Sequence, residues 1–404
     1  MAFQQGLSGL NASSRNLDVI GHNIANANTV GMKASRAEFG EIYASSINSA
    51  GGINAGIGVQ VSTVSQLFTQ GNITVTGNDL DVAINGNGFF ELTMPDGSMS
   101  YSRAGMFKLN RDGEIVTNMG GQLMGYPTDV AGVRQGFESV PLTLPTGGPI
   151  PAKQTTTASV EFNVDARAPI AAAAVPPTPL GTYATSFNAY DPQGIEIPVG
   201  LVFQKTANNT WDVYTSVNGS DPATSTPFSI SFLADGTLDP ATVVPQLQLA
   251  SPNDPAQTFM IDLNFDNATQ FGADFAINNL TQDGYRPGEL TSLGISEAGV
   301  ITAKYSNGQS QAAGQIALVN FRNVQGLSPM SGGNWSQTFA SGEPVRGAPG
   351  EGKLGYLRPG ALEDSNVDLT AELVNMMTAQ RAYQANAQTI KTQDQILSTL
   401  LNMR

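Results

Sequence analysis

The segment from residue 367 to residue 404 constrains the fold most. It contains neither glycine nor proline, although the whole chain has 44 glycines and 23 prolines. Its candidate seam positions alternate in steps of four and three residues, which is the heptad spacing of a packed helix. These positions are Leu369, Leu373, Met376, Gln380, Tyr383, Ala387, Ile390, Asp394, Leu397 and Leu401. The pattern predicts a helix of about 55 Å at 1.5 Å per residue, capped by Ser365 and Asn366.

The N-terminus carries a weaker stripe of the same kind. Its apolar members are Phe3, Leu7, Leu10, Leu17 and Ile24. Ser14 and Gly21 occupy the intervening seam positions. We therefore expect residues 1–28 and 364–404 to form terminal helices that pack together as an inner coiled-coil core.

Both predicted helices also carry a second apolar flank. Its members are Val19, Ile20, Val374, Met377, Ile396 and Leu400. Two apolar faces on one helix pair favour burial among several copies of the chain. The alternative that periodicity leaves open is an ordinary helical hairpin packed on the chain's own β domain.

The region between the helices alternates with the two-residue period of β-strands. Alternating runs lie at Val160–Phe162–Val164, Trp211–Val213–Thr215–Val217 and Ile261–Leu263–Phe265, and Asn-Gly and Asp-Gly turn signals separate such runs. Residues 145–151 and 283–288 resemble linkers around an insert. We predict a mixed fold, in which α-helical coiled-coil terminal segments accompany two nested, mainly β domains. The inner β domain comprises 71–145 and 284–349, the inserted outer β domain comprises 146–283, and 29–70 and 350–363 connect them to the helices.

Composition argues against most kinds of chemistry. The chain has no cysteine and a single histidine, His22, which excludes thiolate metal sites and a histidine-rich zinc site. A formal net charge of −14 disfavours nucleic-acid binding. Asp262, Asn264 and Asp266 match half of a calcium loop but lack its glycine and its final glutamate, so a strand is favoured. We expect no enzymatic activity, no metal and no cofactor.

Targeting signals are equally sparse. No apolar stretch approaches the roughly 20 residues that span a bilayer, so we expect no membrane insertion. The first residues lack the basic and apolar regions of a cleaved signal peptide, so export would use another route.

Several segments, in order along the chain, resemble the flagellar axial proteins, a family of rod, hook and hook-associated proteins. They are residues 16–33, 80–90, 101–107, 365–377 and 380–386. The motif positions singled out are Asn23, Ala25, Asn26, Asn28, Thr29, Gly31, Lys33, Asp81, Gly86, Gly88, Phe89 and Phe90. The large insert favours a hook subunit, because rod proteins of this family lack one.

The resemblance implies a non-enzymatic subunit of a hollow helical tube that acts as a flexible universal joint and transmits torque. Terminal helices would line the channel, with the twelve stripe residues Phe3, Leu7, Leu10, Leu17, Ile24, Leu369, Leu373, Met376, Tyr383, Ile390, Leu397 and Leu401 as assembly contacts. The implied partners are further copies of the chain, the rod, the hook–filament junction protein, the hook cap and the type III export apparatus. The implied location is the hook outside the cell. A distal-rod or hook-associated protein is one alternative, and a secreted β-rich adhesin is another.

Overall fold

The computed structural model describes residues 2–43, 56–144, 148–171 and 182–402. Two long helices flank a succession of β-strands. The helices are α1 (Ala2–Ala25) and α2 (Leu369–Asn402). The strands are β1 (Ser35–Tyr43), β2 (Gly56–Gln66), β3 (Ile73–Val75), β4 (Val82–Asn85), β5 (Phe89–Thr93), β6 (Met99–Ser102), β7 (Lys108–Leu109), β8 (Ile115–Val116), β9 (Gln122–Tyr126), β10 (Val140–Pro141), β11 (Thr157–Asn163), β12 (Tyr183–Tyr190), β13 (Glu196–Ala207), β14 (Thr210–Val217), β15 (Phe228–Ser231), β16 (Leu247–Ala250), β17 (Thr258–Asn264), β18 (Ala276–Gln282), β19 (Leu290–Ile295), β20 (Val300–Tyr305), β21 (Ser310–Ile316), β22 (Leu318–Asn320), β23 (Ser328–Pro329), β24 (Asn334–Ser336), β25 (Val345–Gly347), β26 (Tyr356–Pro359) and β27 (Ala361–Glu363). The prediction of a mostly β chain with a helix near each end is confirmed.

The chain divides into two compact units. Unit 1 comprises Met1–Gly147, Ser292–Lys304 and Ser310–Arg404, and therefore holds both helices. Unit 2 comprises Gly148–Thr291 and Tyr305–Gln309. Unit 2 is thus an insertion into unit 1 in the order of the sequence.

Unit 2 contains two four-stranded sheets, in the orders β12-β13-β14-β15 and β16-β17-β11-β18. In the second sheet β11 runs parallel to β17 and antiparallel to β18. One hydrophobic core joins side chains from both sheets. The alternation that predicted these strands is confirmed, because Val160, Phe162, Trp211 and Ile261 are fully buried.

The segments predicted to be linkers are paired with each other where the structure describes them. Ile150 bridges Gly288 and Lys153 bridges Tyr285, so both segments lie together at the start and end of unit 2. The carboxylate of Asp283 accepts hydrogen bonds from the Thr156 and Thr157 N–H groups. Residues 145–147 of the first segment lie outside the described residues.

The main sheet of unit 1 includes strands in the order β21-β9-β5-β6-β24-β23. Its largest core cluster is mainly aliphatic, with two phenylalanines: Val82, Ile84, Phe90, Leu92, Phe107, Ile115, Leu123, Leu142, Leu144, Ile295, Ile301, Ile316, Leu318 and Leu357. Strand β26 pairs with β4, and strand β27 pairs with β3. These pairings place the segment just before α2 against residues 73–85. Strand β27, which precedes α2, therefore lies beside β3.

The predicted turns are present. Glycines of the Asn-Gly and Asp-Gly pairs between the runs have a positive φ, which favours glycine: Gly86, Gly88, Gly97, Gly219, Gly236 and Gly308. Asp262 and Asn264 lie on β17, with the buried Ile261 and Leu263 alternating between them. The strand interpretation is confirmed for Asp262 and Asn264, whereas Asp266 lies in the turn that follows β17.

Candidate functional site

Helices α1 and α2 pack side by side and run antiparallel, because Gly6 lies beside Ile390 while Asn23 lies beside Glu372. Their contact depends on small residues. A Cβ atom added at Gly6 would lie 3.0 Å from Ile390 Cγ1. One added at Gly9 would lie 2.8 Å from Asn386 Nδ2. The sequence signal that could have located this contact is the spacing of Gly6, Gly9 and Ala12.

The twelve stripe residues divide into two groups according to their exposure. Half-buried members are Leu10, Leu17, Ile24, Met376 and Ile390. Exposed members are Phe3, Leu7, Leu369, Leu373, Tyr383 and Leu397. The side chain of Leu401 lies outside the described residues, and a coiled-coil geometry for the helix pair stays a prediction. The buried residues on the helices are instead Gly6, Ala12, Ile20, Asn23 and Ala379.

After the helices have packed, apolar side chains remain on their outer faces. We call these residues the apolar helix surface: Phe3, Leu7, Leu369, Leu373, Val374, Met377, Ile396 and Leu397. Each keeps between 43% and 54% of its area exposed. Leu369, Leu373 and Met377 recur every four residues and therefore share one face of α2. This surface has the character of a protein contact site.

Helix α2 starts with a different cap from the one predicted. The carboxylate of Asp368 accepts hydrogen bonds from the N–H groups of Thr370 at 2.8 Å and Ala371 at 3.2 Å. The prediction that Ser365 and Asn366 cap the helix is wrong, because tertiary contacts use Asn366 elsewhere. Its Oδ1 atom accepts from the Ala34 N–H at 2.7 Å, and its Nδ2 group donates to the Leu67 carbonyl at 2.7 Å.

Asn23 anchors α1 in a similar way. Its Nδ2 group donates to the Ser35 carbonyl at 2.8 Å, and its Oδ1 atom accepts from the Ser35 N–H at 2.9 Å. Asn23 is 1% exposed. Ser35, the first residue of β1, bonds both the Nδ2 group and the Oδ1 atom of Asn23. The end of α1 is therefore held beside the start of β1.

A buried ionic group lies where the two ends of the chain meet. Lys33 Nζ is 2.6 Å from Glu363 Oε1 and donates to the Thr69 carbonyl at 2.8 Å. Arg103 Nη1 is 3.2 Å from Glu363 Oε2. The side chains of Lys33 and Glu363 are 0% exposed, and that of Arg103 is 5% exposed. Glu363 thus links the N-terminal motif to the strand that precedes α2.

Burial dominates the electrostatics of this group. It lowers the pKa of Lys33, and the neighbouring Glu363 carboxylate opposes that shift. Burial lowers the pKa of Arg103 for the same reason. Glu363 was not among the predicted site residues, and Arg103 lies in segment 101–107 of the resemblance, for which no role was predicted. Glu363 is followed directly by Asp364, so the local sequence does not mark it as a buried carboxylate.

The motif after α1 forms the turn that leads into this group. The N–H of Thr29 donates to the carbonyl of Asn26, and the Asn26 side chain donates to the His22 carbonyl. Gly31 has φ 71°, and a Cβ atom there would lie 2.5 Å from the Ala104 nitrogen. Its N–H donates to the backbone carbonyl of Glu363 at 2.8 Å. Gly31 is therefore required by both its conformation and its close neighbour.

The other predicted motif supports the β body of unit 1. Asp81 accepts a hydrogen bond from the Thr76 hydroxyl at 2.7 Å. The N–H of Gly86 donates to Gln70 Oε1 at 3.0 Å. Phe89 packs against Trp335 with ring centroids 5.5 Å apart, in an edge-to-face arrangement. The remaining motif positions are placed as follows: Gly88 and Phe90 are buried, Ala25 and Asn28 are exposed.

Within the described residues, no cluster of three or more His, Cys, Asp or Glu side chains is arranged to hold a metal ion. Neither of the described helices has the length and apolar character needed to cross a membrane. The features that stand out are therefore the apolar helix surface and the junction, by which we mean Asn23, Lys33, Arg103, Glu363 and Asn366.

Four family models match successive parts of the chain. Residues 3–33 match the flagella basal body rod protein model, and residues 83–167 match the flagellar hook protein FlgE/F/G D1 domain. Residues 163–285 match the flagellar basal body protein FlaE D2 domain. Residues 358–403 match the flagellar basal body rod FlgEFG protein C-terminal model. The two terminal matches contain most of α1 and all of α2.

Two relatives that align over the whole chain carry the same protein name. The flagellar hook protein FlgE of Salmonella typhimurium is 43% identical, and that of Escherichia coli is 42% identical, each with full coverage of both chains. The crystal structure of Helicobacter pylori flagellar hook protein FlgE2 aligns with a TM-score of 0.55 at 15% identity. It covers 72% of this chain and all of the other, which supports a shared fold. The chain belongs to the flagellar hook protein FlgE family.

Proposed function

We propose that this hook subunit polymerises with copies of itself through the apolar helix surface, and so forms a hollow, flexible tube that transmits torque. In this arrangement the terminal helices (1–28 and 364–404) line the central channel. The inner β domain (71–145 and 284–349) surrounds them, joined through 29–70 and 350–363, and the inserted domain (146–283) forms the outer layer. The role is structural, with no catalytic step.

The observation that supports the proposal most is the apolar area left on α1 and α2. Burial of apolar surface is favourable by about 25 cal/mol per Å², so covering the exposed half of one leucine contributes about 1 kcal/mol. Several such residues on each copy supply enough free energy to offset part of the entropy lost on association. A second copy can bury them by presenting the same helix faces.

Charge distribution favours the same arrangement. The segments 1–60 and 361–404 carry few charged residues, whereas most of the excess acidic residues lie between them. Sparsely charged ends can pack closely, since few charges have to be removed from water. An acidic, polar middle favours wet contacts that exchange as the tube bends.

The implied partners follow from the proposed place in the flagellum. The rod would meet the tube at its proximal end, and the hook–filament junction protein and the hook cap would meet it at the distal end. The subunit would reach the tube through the type III export apparatus, without a cleaved signal peptide.

The direct test replaces Leu369, Leu373 and Met377 together by glutamine. Glutamine keeps a high helix propensity while it removes apolar area, so α2 should persist. We expect the variant to remain monomeric, with unchanged circular dichroism, under conditions in which the native chain forms tubes that sediment and are visible by negative-stain microscopy.

A matched control replaces Leu369 and Leu373 by methionine, which retains apolar area and should retain assembly. Tubes formed by the glutamine variant in native yield would contradict the proposed role of this surface.

A further inference from the structure

The chain contains four asparagine–glycine pairs, at 85–86, 87–88, 218–219 and 307–308. Such a pair can react with itself. The glycine backbone nitrogen attacks Cγ of the asparagine side chain, a C–N bond forms, and the amide nitrogen leaves as ammonia. Water then opens the resulting succinimide ring to aspartate or isoaspartate. Glycine has no Cβ atom to obstruct the attack, so the surrounding structure decides which pair reacts.

Hydrogen bonding restrains two of these pairs. In the pair Asn85–Gly86 the attacking N–H donates to Gln70 Oε1 at 3.0 Å. In the pair Asn307–Gly308 the Gly308 N–H donates to the Tyr305 carbonyl at 3.0 Å. The Asn307 amide is also held, since Nδ2 donates to the Arg286 carbonyl at 2.7 Å. Both reactions therefore require local opening first.

Burial restrains the third pair. Gly88 is buried immediately before β5, where a Cβ atom added to it would lie 3.3 Å from the Leu354 side chain and 3.6 Å from the Val319 carbonyl oxygen. The backbone carbonyl of Asn87 accepts a hydrogen bond from the Gly355 N–H at 2.7 Å. Ring closure would move this fixed backbone, so the native structure opposes it.

The fourth pair lies in an exposed turn of unit 2. Asn218 and Gly219 are both exposed and have φ values of 52° and 76°. In the part of the chain that the structure describes, neither the Asn218 side-chain amide nor the Gly219 N–H has a hydrogen-bond partner. A Cβ atom added at Gly219 would meet nothing within 4 Å. The Asn218 N–H donates to the Pro198 carbonyl at 2.9 Å and the Ser220 N–H donates to the Val217 carbonyl at 3.0 Å, so the turn backbone is held, but neither of the two reacting groups is engaged.

We propose that Asn218 is a site of spontaneous modification, at which the native protein converts asparagine to aspartate and isoaspartate in preference to its three other asparagine–glycine pairs. The reaction needs only solvent water. It adds one negative charge to the turn after β14, and the isoaspartate product lengthens the backbone by one carbon atom. The proposal is independent of how the subunit assembles.

The test incubates the full-length native protein at mildly alkaline pH and maps its peptides by mass spectrometry over time. Replacement of NH₂ by OH marks each product, and isoaspartyl methyltransferase labels the isoaspartate fraction. Because opening a structured site costs free energy, we expect Asn218 to convert at least about tenfold faster than each of the other three asparagines. The Asn218→Gln variant confirms the peptide assignment by removing that product alone.

A parallel incubation in urea separates structure from local sequence. Once the chain is unfolded, all four pairs should convert at similar rates, since the restraints on three of them are gone. Conversion of Asn218 no faster than that of its counterparts in the native protein would overturn the proposal. So would a preference for Asn218 that persists unchanged in urea, because local sequence would then explain it.

Discussion

Glu363 connects the two ends of the chain at the level of single side chains. Its carboxylate lies between the buried cations Lys33 and Arg103, at 2.6 and 3.2 Å. Burial of two cations is tolerable only while a carboxylate and hydrogen bonds compensate for the lost water. We therefore expect the loss of the Glu363 carboxylate to destabilise the fold more than the loss of either cation.

We predict that Glu363→Gln destabilises unit 1 by about 3–5 kcal/mol, because it leaves two buried cations without a counter-charge. Lys33→Met is the matched control. It removes one cation and leaves Arg103 paired with Glu363, so its cost should be clearly smaller. Urea unfolding of both monomeric variants, followed by circular dichroism, measures the difference. Equal losses of unfolding free energy would show that the carboxylate has no special position.

At the scale of elements, the sequence was sufficient to identify α2, since a long run without glycine or proline and with heptad spacing has few other solutions. It was not sufficient to identify the helix contact. Gly6 and Gly9 lie outside the predicted stripe, yet their missing side chains are what allows α2 to approach. The cap was misassigned because Asn366 has tertiary partners that local sequence does not reveal.

For the strands, too, the sequence predicted where the elements lie but not how they pair. Alternation located β11, β14 and β17, because each has one buried face. It could not show that β11 pairs in parallel with β17, since parallel pairing joins residues distant in sequence. Motif positions were identified by resemblance alone, and their physical roles, such as the backbone clearance at Gly31, required the neighbouring chain to be in place.

Gly9 and Gly21 offer a comparison within one helix. A side chain at Gly9 would meet Asn386, whereas one at Gly21 meets nothing within 4 Å. Glutamine is a better helix former than glycine by about 0.5–1 kcal/mol. We predict that Gly21→Gln stabilises α1, while Gly9→Gln separates α1 from α2. Hydrogen exchange of α1 amides should slow in the first variant and accelerate in the second. Identical exchange in both would contradict a close helix contact at Gly9.

For the whole molecule, the decisive feature is that each unit has its own hydrophobic core. The core of unit 2 lies between its two sheets, and unit 1 has separate clusters around its main sheet. The chain enters and leaves unit 2 through paired segments, which Asp283 holds together. A domain closed in this way can unfold without first unfolding its host.

Calorimetry of the monomer should therefore show two unfolding transitions, one for each unit. The Asp283→Asn substitution should lower the temperature of the unit 2 transition only. Burial raises the pKa of Asp283, but hydrogen bonds from Thr157 and Thr156, together with Lys153, outweigh it and hold the pKa below its usual range. A depressed carboxyl pKa stabilises the fold above the unfolded value of about 3.9, and that stabilisation is lost as the pH falls through the folded value. The difference between the native and variant transition temperatures should thus be largest at neutral pH and shrink in acid.

The control is Asp96→Asn, which removes a turn carboxylate of unit 1 whose pKa is lowered by hydrogen bonds from Ser98. This substitution should leave the unit 2 transition unchanged. A single transition that both variants shift equally would mean that the two units unfold as one.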